Sequence, residues 1–431
     1  MSKKVLLKVL GGLLAAAFLV SACAPKVVEA PVAEPAVEEA EAPEAEAPAP
    51  AAAAPAEPKE FNFGMLLVGP RNDGGWSQAH YDAGLYAEKN VTGAKMQYLE
   101  NVYVGAGGLP QGVTEADVAA DMVSKGAKLV IFNSDAMQDK AIEFAKANPD
   151  IAVIHASGDS AWKDGINYKD IPNLFNVMGR MEYGKMMAGC AAALTTKTGK
   201  IGYLGPLINS ETRRFASSAY LGARYCWTNY LNKKAEDLKF KVTWIGFWFY
   251  IPGVSTDPTL VADDFYNTGY DVVLSGIDTT EGLVEAGKLR AAGKTVWAIP
   301  YDYKDACAEA NDYCLGVPYF NWGPSYVEQI NNIVNGTFKA GFDWLKPDWK
   351  NINNPDTSIV GFTKGAALSA EASTNLDKFI DALAGGLNLF AGPMNYQDKT
   401  IFLKDGENAT DQQIWYLPQL LEGMEGQSVS K

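Results

Sequence analysis

The sequence of 431 residues carries 51 acidic and 37 basic side chains, for a formal net charge of −14. This length exceeds that of one typical domain, about 100–150 residues, and suits two. No basic patch is evident in the sequence, so nucleic acid is not an expected partner.

The N-terminus has the pattern of a secretory leader. Three lysines within the first eight residues precede an apolar run from Val9 to Val20. That run is shorter than the about 20 residues that a membrane-spanning helix needs. It ends in Val-Ser-Ala-Cys, which looks like a bacterial lipobox, whose cysteine is diacylated. The pattern predicts a lipoprotein signal peptide over residues 1–22 and an anchor at Cys23 that holds the protein on the extracytoplasmic side of the membrane.

Residues 23–60 predict a spacer between the anchor and the globular part. From Ala24 to Pro58 the chain is almost entirely Ala, Pro, Glu and Val, with eight Glu, one Lys and no aromatic residue. Such a composition cannot bury enough apolar surface to offset the entropy of ordering. We expect a disordered linker that carries half of the net charge, so the globular part is only mildly acidic.

The remaining sequence repeats one unit, in which a short apolar strand is followed by a polar or Gly-rich loop and an amphipathic helix. This alternation is typical of parallel sheets covered by helices. The predicted strands are Phe63–Val68, Lys128–Phe132, Ile151–His155, Lys200–Leu204, Lys241–Ile245, Val272–Ser275 and Thr295–Pro300. The predicted helices are Trp76–Lys89, a helix ending near Ala147, Met181–Thr195, Glu211–Leu231, Thr259–Thr268 and Glu281–Ala292.

The fold class expected is α/β, with two doubly wound parallel-sheet lobes joined by a hinge. The first lobe spans residues 61–178, with a return segment near 301–325. The second spans 179–300, and the C-terminal segments 326–431 cross between the lobes. Ligands of open parallel sheets bind beyond the carboxyl ends of the strands, which makes the loops after the strands the candidate site.

Four cysteines lie in the globular part, at positions 190, 226, 307 and 314. Cys307 and Cys314 are close enough in sequence for a local disulfide, whereas Cys190 and Cys226 are as readily explained as buried thiols. The sequence has no CxxC pair and only two histidines. A zinc site is therefore not expected, nor is any other metal or cofactor.

Motifs of the common enzyme classes are missing. Gly105-Ala-Gly-Gly is not a complete GxGxxG, and neither a GxxxxGK[ST] phosphate loop nor a GxSxG elbow occurs. His80 and His155 have no sequence-adjacent nucleophile and are expected to be structural. We therefore expect no catalytic residue and a protein that is not an enzyme.

Five collinear segments resemble the basic membrane protein (BMP) family of ABC-transporter substrate-binding lipoproteins. The resemblance spans nearly the whole globular part. The segments are GPRNDGGWSQAH from position 69, GRMEYGKMMAG from 179, GKIGYLG from 199, WIGFWF from 244 and FNWGPSY from 320.

The resemblance implies a type I periplasmic-binding-protein fold that closes over a purine nucleoside or purine base by a hinge motion. The closed form would dock on ABC permease subunits, and the chain would act as a monomer. Sugars or other small solutes are alternative ligands, because their sites also combine aromatic rings with Asp and Asn. A ligand sensor and a surface nucleoside-processing enzyme are the alternative functions.

The resemblance also assigns roles to the residues of the first loop and of the aromatic segment. Asp73 keeps the acid of the family's first loop, and Trp76 replaces the family's Phe as the stacking ring, unless it packs in the core. Trp248 and Phe249 match the aromatic after the second-lobe Trp-x-Gly, while Tyr250 departs from the Asp that commonly follows.

Three acids complete the polar set that the resemblance implies. Asp135 approximates the acid at the base edge or simply caps its helix. Asp302 matches the acid that holds ribose in nucleoside binders, and Asp278 falls in the loop that closes the site. Asn321 and Trp322 are either contacts or part of hinge packing. The expected ligand-binding residues are Asn72, Asp73, Trp76, Asp135, Trp248, Phe249, Asp278, Asp302, Asn321 and Trp322.

Overall fold

The computed structural model describes residues 60–308 and 310–429. The predicted signal peptide, Cys23 and nearly all of the linker lie outside the described residues. In chain order the strands are β1 (Phe61–Leu66), β2 (Ala94–Leu99), β3 (Leu129–Phe132), β4 (Ala152–Ala156), β5 (Leu174–Gly179), β6 (Lys200–Gly205), β7 (Lys239–Trp244), β8 (Val272–Ser275), β9 (Trp297–Ile299), β10 (Gly316–Phe320), β11 (Gly341–Leu345), β12 (Val360–Lys364), β13 (Met394–Asn395), β14 (Ile401–Leu403) and β15 (Met424–Glu425).

The α-helices alternate with the strands over most of the chain. They are α1 (Trp76–Asn90), α2 (Glu115–Ser124), α3 (Gln138–Ala147), α4 (Met181–Thr195), α5 (Ser210–Asn229), α6 (Pro258–Asn267), α7 (Glu281–Ala291), α8 (Gly323–Val334), α9 (Ala370–Ala384) and α10 (Asp411–Trp415). None of the helices within the described ranges combines the length and apolar character that crossing a bilayer requires.

Two parallel sheets organise the described part of the chain. The first has the order β11-β5-β4-β3-β1-β2, and the second has the order β15-β7-β6-β8-β9. Every pairing in both sheets is parallel. Strands β10 and β12 form a separate antiparallel pair, as do β13 and β14. The predicted α/β class with parallel sheets is confirmed, and the predicted lobe boundaries stay a prediction.

The central strands are apolar throughout because both faces of each sheet are covered. Strand β8 shows the principle within the second sheet. Val272 and Leu274 belong to the core shared with α4, α5 and α9, whereas Val273 belongs to the core shared with α6 and α7. Successive side chains of a strand point to opposite faces, so β8 contributes to both cores.

Helices α4 and α5 pack unusually closely because glycines face the opposing backbone. A Cβ on Gly189 would lie 1.8 Å from the carbonyl oxygen of Ala219, and one on Gly222 would lie 2.0 Å from that of Met186. A disulfide between Cys190 and Cys226 joins the same two helices, with the Cα atoms 5.2 Å apart.

The other disulfide, Cys307–Cys314, closes a local loop after β9, with the Cα atoms 5.7 Å apart. The sequence left both pairings open, and both bonds are present in the structure. Neither bond involves a residue that lines the cavity described below.

Residues 411–417 form a crossing segment between the two main cores. Trp415 packs in the core of the first sheet, and Leu417 packs in the core of the second. Tyr416 Oη donates to Asp159 Oδ2 at 2.6 Å, whereas Arg213 Nε donates to the carbonyl oxygen of Leu417 at 2.7 Å. The crossing segment is therefore hydrogen-bonded both to a residue that follows a strand of the first sheet and to a residue of α5, which packs on the second sheet.

Candidate ligand-binding site

A narrow cavity lies where the carboxyl ends of strands from both sheets converge. Its free volume in this structure is about 10 Å³, so the two walls lie almost in contact. Ligands of open parallel sheets bind at this edge, so its position marks the cavity as the candidate site. The lining residues are Trp76, Ser134, Asp135 and Ser157 on the side of the first sheet, and Tyr203, Glu211, Thr212, Phe215, Trp248, Gly276, Asp278 and Tyr301 on the side of the second.

The first-sheet wall is built around Trp76, the first residue of α1, whose side chain is almost fully buried. Its ring nitrogen Nε1 donates a hydrogen bond to the carbonyl oxygen of Asn133 at 2.6 Å. Phe320 and Trp322 contact the ring edge-on, with centroids 5.4 and 5.3 Å away. One bond and two ring contacts therefore fix this indole in the cavity wall.

Asp73 holds the loop that delivers Trp76. Its carboxylate accepts hydrogen bonds from the backbone N–H groups of Gly75, Ser77 and Gln78 at 2.8, 2.9 and 3.0 Å. Burial raises the pKa of Asp73 to about 6, although these N–H donors act in the opposite direction. The acid stabilises the N-terminus of α1, where the unpaired N–H groups favour an acceptor.

Polar groups beside Trp76 come from the ends of β3 and β4. Asp135 Oδ2 accepts a hydrogen bond from Asn209 Nδ2 at 3.2 Å, which links the two sides of the cavity. Burial raises the pKa of Asp135. The Ser157 hydroxyl is buried and has no hydrogen-bond partner among the described residues, so it can bond to a ligand.

The second-sheet wall presents another indole, Trp248, which follows β7 and is 7% exposed. Its backbone carbonyl accepts a hydrogen bond from the N–H of Asp278 at 3.0 Å, which ties two lining loops together. Within the described ranges the Trp248 Nε1 and the Tyr301 hydroxyl lack hydrogen-bond partners. Buried unpaired donors cost about 1–3 kcal/mol each, and ligand acceptors would remove that cost.

Carboxyl groups in and beneath the second-sheet wall have raised pKa values because they are buried. Burial raises the pKa of Glu211 to about 8, and raises that of Asp278 and Asp302 well above the usual range. The charge of Asp302 adds to the rise for Asp278, and the charge of Asp73 adds to the rise for Asp302. A protonated carboxyl donates as well as accepts hydrogen bonds, so this wall can pair with both kinds of ligand group.

The backbones of the two walls also come into direct contact. The backbone N–H of Trp76 lies 3.4 Å from the carbonyl oxygen of Asp278. A Cβ on the neighbouring Gly75 would lie only 1.9 Å from the same oxygen. Gly75 therefore allows the loop after β1 to approach the loop after β8 this closely.

Four of the residues predicted from sequence line the cavity together, namely Trp76, Asp135, Trp248 and Asp278. Asp302 lies just behind the wall, fully buried, with a φ of 73° and no hydrogen bond to its carboxylate among the described residues. Asp73 is placed behind the wall as well, at the start of α1.

The other predicted residues lie further from the cavity. Trp322 is fully buried and stacks on His80, with centroids 4.4 Å apart, while Asn321 Nδ2 donates to two backbone carbonyls at 2.8 Å. Phe249 contacts Tyr103 edge-on at 5.4 Å, and Asn72 is exposed. The binding roles of all ten residues stay predictions.

Sequence reasoning missed eight of the lining residues: Ser134, Ser157, Tyr203, Glu211, Thr212, Phe215, Gly276 and Tyr301. Four of them, Ser134, Ser157, Gly276 and Tyr301, follow the carboxyl end of a strand within two residues, a position that the sequence does reveal. Tyr301, for example, directly precedes the predicted Asp302. No cluster of three or more His, Cys, Asp or Glu residues suited to a metal ion occurs among residues 60–308 and 310–429.

Two parallel sheets whose strand ends face a common cavity have the arrangement of the periplasmic-binding-protein fold. Solved structures support this fold. An ABC transporter solute-binding protein from Aeropyrum pernix K1 matches with a TM-score of 0.58 at 14% identity, over 78% of this chain and 93% of that one. A solute-binding protein from Conexibacter woesei matches with a TM-score of 0.53 at 16% identity, over 76% and 97%.

The chain belongs to the Bmp family of PnrA-like ABC transporter substrate-binding proteins, whose model matches residues 61–346. A protein of Brucella abortus (strain 2308), named a purine-binding protein, is 28% identical over 366 residues, which cover 83% of this chain and 91% of the relative. As a substrate-binding protein of an ABC transporter, the chain binds a small-molecule ligand and works with permease subunits.

Proposed function

We propose that this protein captures a purine, as a free base or a nucleoside, and delivers it to the permease as a lipid-anchored monomer. The observation that carries the proposal is the pairing of two indoles, Trp76 and Trp248, in opposite walls of one narrow cavity. A narrow space between aromatic rings favours a flat molecule, because rings stack on its faces. The name of the Brucella abortus relative is in keeping with this ligand.

The polar groups of the cavity suit the edge of a purine ring. Purines carry ring N–H or amino donors next to ring-nitrogen acceptors. The carboxyl groups of the walls can accept hydrogen bonds from the purine donors, and the unpaired donors of Trp248 and Tyr301 can bond to the ring nitrogens. Specificity follows because an analogue that lacks one of these groups leaves a buried partner unpaired.

Capture proceeds by closure of the two walls on the ligand. A ligand that contacts both walls favours the closed arrangement by no more than its difference in affinity for the two states. The Trp76–Asp278 backbone contact is part of the closed arrangement. No covalent step is needed, and we propose binding without turnover.

A thermal-shift screen of purine bases, purine nucleosides and sugars tests the ligand. A true ligand at a hundred times its dissociation constant should stabilise the protein by about 2.7 kcal/mol. We expect a shift with at least one purine and none with sugars. A shift with a sugar alone contradicts the purine proposal, and mass analysis that detects nucleoside cleavage contradicts binding without turnover.

Paired variants localise the site. Trp248→Ala should weaken purine binding by about 1–3 kcal/mol, the usual contribution of a ring stacked on a base. Trp349→Ala is the matched control, since this indole packs on Tyr183 and does not line the cavity. If purine raises the melting temperature of both variants equally, the stacking role of Trp248 is contradicted.

The lipid anchor has its own test in Cys23→Ser. Two acyl chains give stable membrane attachment, whereas one gives only marginal binding. Cells that express the wild-type chain should incorporate labelled fatty acid into it and retain it in the membrane fraction. The variant should take up no label and appear in the soluble extracytoplasmic fraction; its retention in the membrane contradicts the anchor.

A further inference from the structure

Lys185 is a buried basic residue that has no role in the binding mechanism proposed above. It lies in α4, where thirteen of the fifteen residues are buried, and its own side chain is 1% exposed. A buried ammonium group is costly unless it is bonded or paired. Its presence in a helix whose other residues are mostly Ala, Gly and Met therefore needs a physical reason.

The hydrogen bond of Lys185 reaches the end of a strand that leads into the cavity. Its Nζ donates to the carbonyl oxygen of Ser275 at 2.8 Å. Ser275 is the last residue of β8, and the chain continues directly into Gly276 and Asp278 of the cavity wall. The lysine thus holds this loop from behind.

The same ammonium group contacts a second part of the wall. Its Nζ lies 3.0 Å from the ring centroid of Tyr301, which follows β9 and lines the cavity. Cation–π contacts are favourable at such distances, particularly when the cation is removed from water. One side chain therefore touches the segments after β8 and after β9 together.

The charges around Lys185 are almost all of the opposite sign. Burial holds the pKa of Lys185 well below its usual range, and nearby Asp302, Asp278 and Glu211 act in the opposite direction. In return, Lys185 lowers the pKa of the Asp302 carboxyl, which burial raises. Tyr203, the other titratable side chain close by, has its ring centroid 5.6 Å from the Nζ.

We propose that Lys185 is a positioning residue of the ligand site, which fixes Ser275 and Tyr301 from behind the wall. It does not touch the ligand. By holding the two segments it sets where the Asp278 carboxyl and the Tyr301 hydroxyl meet a ligand. The inference rests on the proposed purine function only for the choice of probe.

The test compares Lys185→Met and Lys185→Gln with the wild type, using adenine, guanine, hypoxanthine and adenosine as probes in calorimetric titrations. Lys185→Met keeps the length of the side chain but removes a hydrogen bond donated by a charged group, so affinity should fall about 10- to 100-fold. Lys185→Gln restores an N–H donor toward Ser275 without charge, and its affinity should fall between the two. Met187→Leu, a buried volume-conserving change on the same helix, should stay within about 2-fold of the wild type.

Two results separate positioning from plain structural support. The affinity loss should persist after correction for the folded fraction measured by circular dichroism, and a crystal structure of Lys185→Met should show a displaced Ser275–Asp278 loop or Tyr301 ring. Wild-type affinity in both Lys185 variants overturns the inference, as does an unmoved wall. If the wild type binds none of the four probes, the purine proposal fails, and the crystal structure alone then decides the role of Lys185.

Discussion

In Gly75→Val, purine binding is expected to weaken by about 5- to 150-fold, with the fold intact. The reason is the approach of the two walls, since a Cβ at this position would lie 1.9 Å from the carbonyl oxygen of Asp278. That atom belongs to the backbone and cannot rotate away. Forcing extra atoms into a packed contact costs about 1–3 kcal/mol, and here the cost falls on the closed state alone.

Titration calorimetry and thermal unfolding without ligand together check this expectation. The melting temperature of unliganded Gly75→Val should change little if the walls separate to accommodate the side chain. Gly282→Ala is the matched control, because a Cβ there would meet its nearest neighbour at 3.5 Å, an ordinary contact. Wild-type affinity in Gly75→Val would mean that the walls do not need to touch for capture.

In Arg214→Met, the free energy of unfolding is expected to fall by about 3–5 kcal/mol. The guanidinium is 1% exposed, and its Nε donates to Glu182 Oε1 at 2.7 Å while Glu211 lies 3.7 Å away. Its plane also lies over the Trp415 ring, 4.2 Å from the centroid. Removal of the cation leaves buried carboxyl groups without a positive partner, which is the costly way to break such a pair.

Urea denaturation measures this loss, and two further variants interpret it. Arg214→Met combined with Glu182→Met should recover part of the stability, because the orphaned acid is also removed. Lys125→Met breaks the exposed Lys125–Asp121 pair and should cost about 0–1 kcal/mol. If Arg214→Met and Lys125→Met lower the free energy of unfolding by the same amount, burial does not determine how much these ion pairs stabilise the protein.

Several strands that are buried on both faces could be predicted from sequence, but β5, which is buried along its whole length, was missed because Asn176 interrupts its apolar run. Helix α4 and strand β8 were predicted with the bounds that the structure has, because continuous apolar runs leave little choice of period. Strand β2 was missed because it is an edge strand, only partly buried and with mixed polar residues. Helix α2 was missed although Thr114 and Asp117 form a capping box at its start.

The site could be predicted in part, because tryptophans and acids after strands are visible in a sequence. Position after a strand places Trp76 and Trp248 at the right edge of the sheets. It does not tell Asp135, which lines the cavity, from Asp302, which lies behind it. Lys185 was missed for another reason, since a lysine is normally expected to be exposed; the long apolar run that directly follows it in α4 is the signal that could have revealed it.

The crossing segment has a consequence for how the protein matures. Export threads a chain through the membrane from its N-terminus, so under our proposal Cys23 emerges well before residues 411–417. Trp415 and Leu417 complete different cores, and β15 closes the edge of the second sheet later still. Neither core reaches its final packing until these residues have been translocated. Under this proposal the substrate-binding protein is therefore anchored to the membrane before it is able to bind a ligand.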